Sequence, residues 1–206
     1  MITLPLWHLF YRANPLETFE PDSDDMQGWN SDSPVFEAVL RDLNPRLIVE
    51  VGSWKGASAI HMAKLAPEAH MLCIDTWLGS PEMLDPHNPI SDSLRRWHGW
   101  PHLYYTFASN VVRHVGRERI CPLAAPSTVA ACLLRRLPDF QADVIYIDGS
   151  HEYADVARDL DDYWPFVRPG GFLIADDYNF TDVRRAVDER FPQARAVYEK
   201  CTVRKD

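Results

Sequence analysis

The chain has 206 residues, 46 % of them hydrophobic and a quarter charged, which suits one globular core and argues against disorder. A net charge of −9 and a pI near 5.3 exclude the basic face that nucleic-acid binding needs. Four cysteines (Cys73, Cys121, Cys132 and Cys201) show no CxxC spacing, so a zinc site or disulfide framework is excluded in favour of reduced, buried thiols.

The opening "MITLPLWHLFYR" is apolar, yet it lacks a basic lead-in and a cleavage site and is too short to span a bilayer. It reads as a packing or homodimer-forming segment of a cytoplasmic protein that has no membrane contact. Residues 1–30 form a Pro- and Asp-rich arm, and residues 31–206 form one domain. Ser33-Pro34 predicts the N-cap and first turn of a helix over "VFEAVLRDL". Strands follow at 47–52, 70–75, 118–123, 143–148 and 171–177. Helices are predicted over "GASAIHMAKLA", "FASNVVRHVG", "STVAACLLRRL", about 153–167 and "TDVRRAVDERF", before a last extended piece, "ARAVYEKCTVRK". Strands apolar on both faces, alternating with such helices, define an α/β fold: a mostly parallel, Rossmann-like sheet covered on two sides.

Residues 76–106 interrupt this rhythm with a stretch rich in Pro, Trp, His and Tyr. An insertion of this length after a strand's carboxyl end reads as a substrate lid, which His87, His98 and His102 would line.

Two features carry chemistry. The turn "EVGSWKG" (50–56) lies between strand and helix, but Trp54 stands where a dinucleotide loop needs a glycine, and its side chain disfavours the backbone's approach to a pyrophosphate. Asp75 ends the next strand about 20 residues on, the spacing at which an acid meets ribose hydroxyls. Ribose without pyrophosphate is what S-adenosylmethionine offers. Further on, "VIYIDGSHEY" and "GGFLIADDY" are strands ending in Asp148 and in Asp176-Asp177. Taken alone, each acid is equally a turn former or helix cap. If the two strands are neighbours roughly 4.8 Å apart, their acids can converge, and three hard oxygen donors suit Mg²⁺.

On "VEVGSWKGASA" and "CIDTW" the chain resembles the class I S-adenosylmethionine-dependent methyltransferases. The similar branches are the metal-dependent O-methyltransferases of the catechol, macrocin and mycinamicin types, over roughly residues 45–190. The resemblance implies that Glu50, Gly52 and Gly56 shape the cofactor loop, with Ser53, Trp54 and Ser58 against the methionine moiety. Asp75 would hold the ribose, Thr76 and Trp77 would border the adenine, and Ser127 would approach it. Asp148, Asp176 and Asp177 would hold Mg²⁺ or another divalent cation. His151 falls where mycinamicin-type enzymes carry a histidine, and it would act as the base on a hydroxylated small molecule such as a sugar or polyketide. Three rivals stay open: a catalytically silent cofactor-binding protein, a relative from β-lactam hydroxylation or methoxylation pathways, and an NAD-dependent dehydrogenase.

Overall fold

The computed structural model of the chain describes residues 6–85, 87–97 and 100–206. His98 of the expected lid and the first five residues lie outside them. Helix α1 (Pro34–Leu43) starts as predicted, with the Ser33 side chain accepting from Val35 N and Pro34 in the first turn. Asn44, in the left-handed conformation, ends it.

Then come β1 (Leu47–Val51), α2 (Ala57–Leu65) and β2 (His70–Asp75). Among its described residues the insertion contributes two short 3-10 turns and the two-residue strands β3 (Arg96–Trp97) and β4 (Trp100–Pro101). It ends earlier than predicted, because α3 (His102–His114) takes in "HLYYT". The rest is β5 (Ile120–Ala124), α4 (Ser127–Leu134), β6 (Ala142–Ile147), α5 (Tyr153–Tyr163), β7 (Val167–Ala175), α6 (Thr181–Arg190), β8 (Arg195–Val197) and β9 (Lys200–Arg204).

Among the described residues seven strands form one sheet in the order β5-β2-β1-β6-β7-β9-β8. The first five run parallel, while β9 pairs antiparallel with β7 and β8 with β9. The single extended piece expected at the C-terminus is therefore a hairpin. Its turn carries Tyr198 at φ 57° without the Gly or Asn that announces such turns in sequence.

Side chains alternate along the central strands, as the period of two requires. Val49, Val51, Leu72, Ile74, Ile145 and Ile147 join one core layer. Ile48, Met71, Cys73, Val144 and Tyr146 join the other. The N-terminal segment packs on its own chain: Leu6 is buried in the first layer, and the Tyr11 hydroxyl donates to Pro122 O at 2.8 Å. Cys132 is exposed, contrary to expectation, because it lies on the outer face of α4; the other three thiols are buried. No helix among the described residues is long and apolar enough to cross a membrane.

The arm is irregular but anchored along α3. Asp22 and Ser109 exchange hydrogen bonds, Asn110 bonds Asp25 in both directions, and Lys55 pairs with Asp25 at 2.7 Å.

Candidate active site

The carboxyl ends of the parallel strands meet at the order reversal between β1 and its neighbours, where open α/β sheets bind ligands. Gly52 leaves β1 at φ +86°, and a Cβ there would lie 1.9 Å from Asp148 O. The turn thus threads directly against the tip of β6, which only glycine permits. Its backbone donors point inward. Gly52 N donates to Ile74 O at 2.8 Å and Gly56 N to Ser53 O at 2.7 Å. Ser53 N and Trp54 N both donate to Asp75 Oδ2, at 2.9 and 2.8 Å. A phosphate-binding turn aims its N–H groups at the ligand; here these four are engaged by the protein. The cradle offers acceptors, which fits ribose hydroxyls and a cationic sulfonium and does not fit a diphosphate.

Asp75 also accepts from Trp77 N through Oδ1 at 2.7 Å. A carboxylate has about four acceptor sites, so Oδ1 retains one for a ribose hydroxyl while Oδ2 is filled by the loop. Burial raises the Asp75 carboxyl pKa, opposed by the N–H groups of Trp77, Trp54 and Ser53.

Three further residues of the expected cofactor set are engaged by the protein. Trp77 is 1 % exposed, with its indole donating to Trp54 O at 2.9 Å and its ring against Tyr104 and Phe107, so it props the loop from below and does not border adenine. The Trp54 ring turns to the arm, where Nε1 donates to Gln27 Oε1 and Trp29 lies 5.7 Å away. Ser58 is buried and donates to Glu50 Oε1 at 2.6 Å. Ser53 is buried within the turn. Gly56 caps α2 at φ +84°, a Cβ there falling 3.0 Å from the Phe107 ring. Thr76 is half-buried, its hydroxyl accepting from Leu78 N. Ala125 N bonds Asp75 O, which brings the segment leading to Ser127 alongside. The Ser127 carbonyl accepts from the Tyr163 hydroxyl at 2.8 Å.

Glu50 sits fully buried beneath the turn, and burial pushes its carboxyl up to about 7 from 4.5. Between those values the folded chain holds a proton that the unfolded chain has lost, so stability declines as pH rises from about 4.5 through about 7, by ~3 kcal/mol in all. In Glu50→Gln this dependence should vanish. Urea midpoints at pH 5 and pH 8 would check it, and an unchanged pH slope in the variant would refute it.

β6 and β7 are adjacent, with Ile147 opposite Ala175, so Asp148 and Asp176 are neighbours at the tips. The chain turns at Asp177, φ +52°, which sends its carboxylate to His151: Nε2 and Oδ2 lie 2.7 Å apart. The imidazole stacks on Phe180, centroids 4.7 Å apart at 19°. Asp176 is 6 % exposed. Its Oδ1 accepts from Asp177 N, and its Oδ2 meets both the Lys200 ammonium and the Tyr146 hydroxyl. Lys200 Nζ reaches the Tyr146 hydroxyl at 3.0 Å, and that hydroxyl lies 2.9 Å from Asp148 Oδ2. One phenolic proton cannot serve two carboxylates, so the second contact needs a proton on a carboxyl. Burial and then the neighbouring Asp176 push the Asp148 pKa well above the usual range.

The carboxylates expected to share Mg²⁺ therefore do not fit it as a set. Asp176 already carries a lysine cation on one oxygen and a backbone donor on the other, and Asp177 is turned to a histidine. Among the described residues no group of three His, Cys, Asp or Glu is arranged to hold an ion. Sequence reading missed Lys200 and Tyr146. Tyr146 lies two residues before Asp148, on the same strand face, a signal that could have been used. Lys200 meets Asp176 only through the β7–β9 register, where Cys201 lies opposite Ala175.

The strand order and the position of the cradle are those of a class I methyltransferase. A family model described as "Methyltransferase domain" matches residues 49–178, and the chain belongs to that family of S-adenosylmethionine-dependent enzymes. Among curated proteins it is similar to an 8-demethyl-8-(2,3-dimethoxy-alpha-L-rhamnosyl)-tetracenomycin-C 4'-O-methyltransferase of Streptomyces olivaceus. The two are 27 % identical over 221 residues, covering 89 % of this chain and 80 % of that one. Its fold is shared with an O-methyltransferase from Bacillus cereus solved with SAH (TM-score 0.61, 14 % identity, 88 % and 84 % of the two chains). It is also shared with TomG of Streptomyces achromogenes, an O-methyltransferase involved in tomaymycin synthesis and solved with SAM (TM-score 0.62, 13 % identity, 88 % and 83 %).

Proposed function

We propose that this chain transfers a methyl group from S-adenosylmethionine to a hydroxyl oxygen of a small molecule, a sugar, polyketide or other specialised metabolite, in the cytoplasm. The observation that carries this reading is the acceptor-rich cradle at Asp75 set beside a His151–Asp177 pair on the same sheet edge. The rhamnosyl 4'-O-methyl chemistry named for the Streptomyces olivaceus relative supports the acceptor class.

S-adenosylmethionine, when bound, supplies a methyl group on a positively charged sulfur. Asp75 would receive a ribose hydroxyl on Oδ1, and Thr76 and Ser127 would flank the adenine. An alcohol is a poor nucleophile until its proton is removed. His151 accepts that proton, and Asp177 stabilises the resulting imidazolium at 2.7 Å while Phe180 holds the ring plane. The remaining contribution is positioning, by which the acceptor oxygen is held in line with the methyl–sulfur bond. The magnesium ion expected from sequence takes no step here, because the acids that would hold it are engaged elsewhere.

The reading is tested by incubating the protein with methyl-labelled S-adenosylmethionine and a panel of hydroxylated and rhamnosylated polyketides. Label on an acceptor oxygen is expected. Calorimetry showing NAD binding and no S-adenosylmethionine binding would overturn it. His151→Ala should lower kcat about 10²- to 10⁴-fold with little change in cofactor affinity. It should also remove the acidic limb of the pH–rate profile, and an unmoved profile would take the proton-acceptor role away from His151.

A further inference from the structure

Lys200 is 1 % exposed, and its ammonium touches the carboxylate that the fold places at the tip of β7. It is fixed from several sides. The rings of Phe36 and Tyr146 lie 5.3 and 5.1 Å from Nζ, and the preceding Glu199 carbonyl accepts from Tyr178 N at 2.7 Å. A buried ion pair contributes little net stability compared with apolar residues of the same volume. Packing is therefore a weak reason for a lysine here, and the charge itself calls for a function.

We propose that Lys200 is the resident cation of this active site, a positioning residue that neutralises the acid-tipped strands through Asp176 and Tyr146, so that the chain transfers methyl groups without a divalent metal. The inference rests on the methyltransferase reading above.

Carboxylates at two adjacent strand tips would oppose removal of a proton from a nearby hydroxyl, because negative charge would accumulate on the oxygen. Elsewhere such a cluster is balanced by a bound ion. Here one ammonium pairs with Asp176 and, through the Tyr146 hydroxyl, ties in Asp148. That leaves Asp177 as the carboxylate engaged by His151. A divalent ion on Asp176 would have to displace Lys200 or lie against a like charge in a buried site, and both are costly.

Mn²⁺ titration of the full chain, followed by electron paramagnetic resonance with SAH present, decides the point. No saturable binding at micromolar Mn²⁺ is expected, and chelator should leave turnover unchanged. In Lys200→Met, metal-free turnover should fall about 100-fold, as for loss of a preorganised charge, and added Mn²⁺ should now bind and restore part of it. Lys200→Arg keeps the cation and should retain metal-free turnover. One tightly bound Mn²⁺ in the unmodified chain, loss of turnover with chelator, or full metal-free activity in Lys200→Met would each overturn the proposal. The Mn²⁺ titration decides the question even if Lys200→Met fails to fold. SAH affinity measured in the same samples separates the two readings: its absence removes the methyltransferase function, whereas Mn²⁺ binding with SAH affinity intact removes only the role of Lys200.

Discussion

Gly52→Ala should yield a chain that melts well below the unmodified protein and no longer retains S-adenosylmethionine. The added Cβ would sit 1.9 Å from Asp148 O and 2.8 Å from the Gly149 Cα, and both neighbours are backbone. No rotamer change can relieve that overlap. The φ of +86° adds roughly 1–2 kcal/mol of strain for an L-residue. Relief requires moving either the end of β1 or the 148–149 turn. The first breaks the bond from Gly52 N to Ile74 O, and the second breaks that from Asp148 N to Val51 O. A loss of at least ~3 kcal/mol follows, or about 6–12 °C in Tm for a chain of this length. Differential scanning calorimetry with and without SAH would measure it. A variant with native Tm and native SAH affinity would show that the close approach of turn and strand tip is not required.

The sheet was legible because its strands are apolar on both faces and its turns fall at Gly, Asn and Pro, so alternation with helices fixed class and order of elements. What misled was local. "ARAVYEKCTVRK" has no Gly or Asn at its turn, and the hairpin exists because Tyr198 takes a left-handed φ between two strands that β7 already organises. "HLYYT" reads as lid by composition but continues α3, where Leu103, Thr106 and Phe107 find buried positions.

The site was legible in its identities more than in its contacts. Gly52, Asp75, Asp148, Asp176, Asp177 and His151 all reach the carboxyl edge of the sheet, since each follows a strand by only a few residues. Their bonding partners depended on pairings that sequence spacing does not encode. Lys200 lies 24 positions after Asp176 and meets it across an antiparallel register. Trp77, next to Thr76, falls inward because a left-handed φ of +51° turns it under the loop. Charge at the strand tips pointed to a cation, and sequence spacing alone could not bring Lys200 to Asp176.

Asp75→Ala should weaken S-adenosylmethionine binding by two routes. The direct one is loss of the Oδ1 acceptor for a ribose hydroxyl, a charged hydrogen bond of about 1.5–3 kcal/mol. The indirect one is larger. The carboxylate accepts from Ser53 N, Trp54 N and Trp77 N, and two of those residues, Trp54 and Trp77, hold left-handed φ values of +47° and +51°. Such a conformation at a bulky residue persists only where its surroundings enforce it, and here Asp75 is a main source of that enforcement. Without it the turn should relax, releasing the Trp77 indole from Trp54 O and opening the floor of the cradle. Together these imply an affinity loss of at least about 100-fold with a lower Tm, since each 1.4 kcal/mol is tenfold. Asp75→Asn separates the routes. The amide offers one oxygen and places donors where the loop also donates, so it can serve either the Ser53–Trp54 pair or Trp77, but not both. Its Tm should fall between those of Asp75→Ala and the unmodified chain, while its SAH affinity should stay near that of Asp75→Ala if the ribose contact dominates. Native Tm and native SAH affinity in Asp75→Ala would show that the loop holds itself and that the ribose is bound elsewhere.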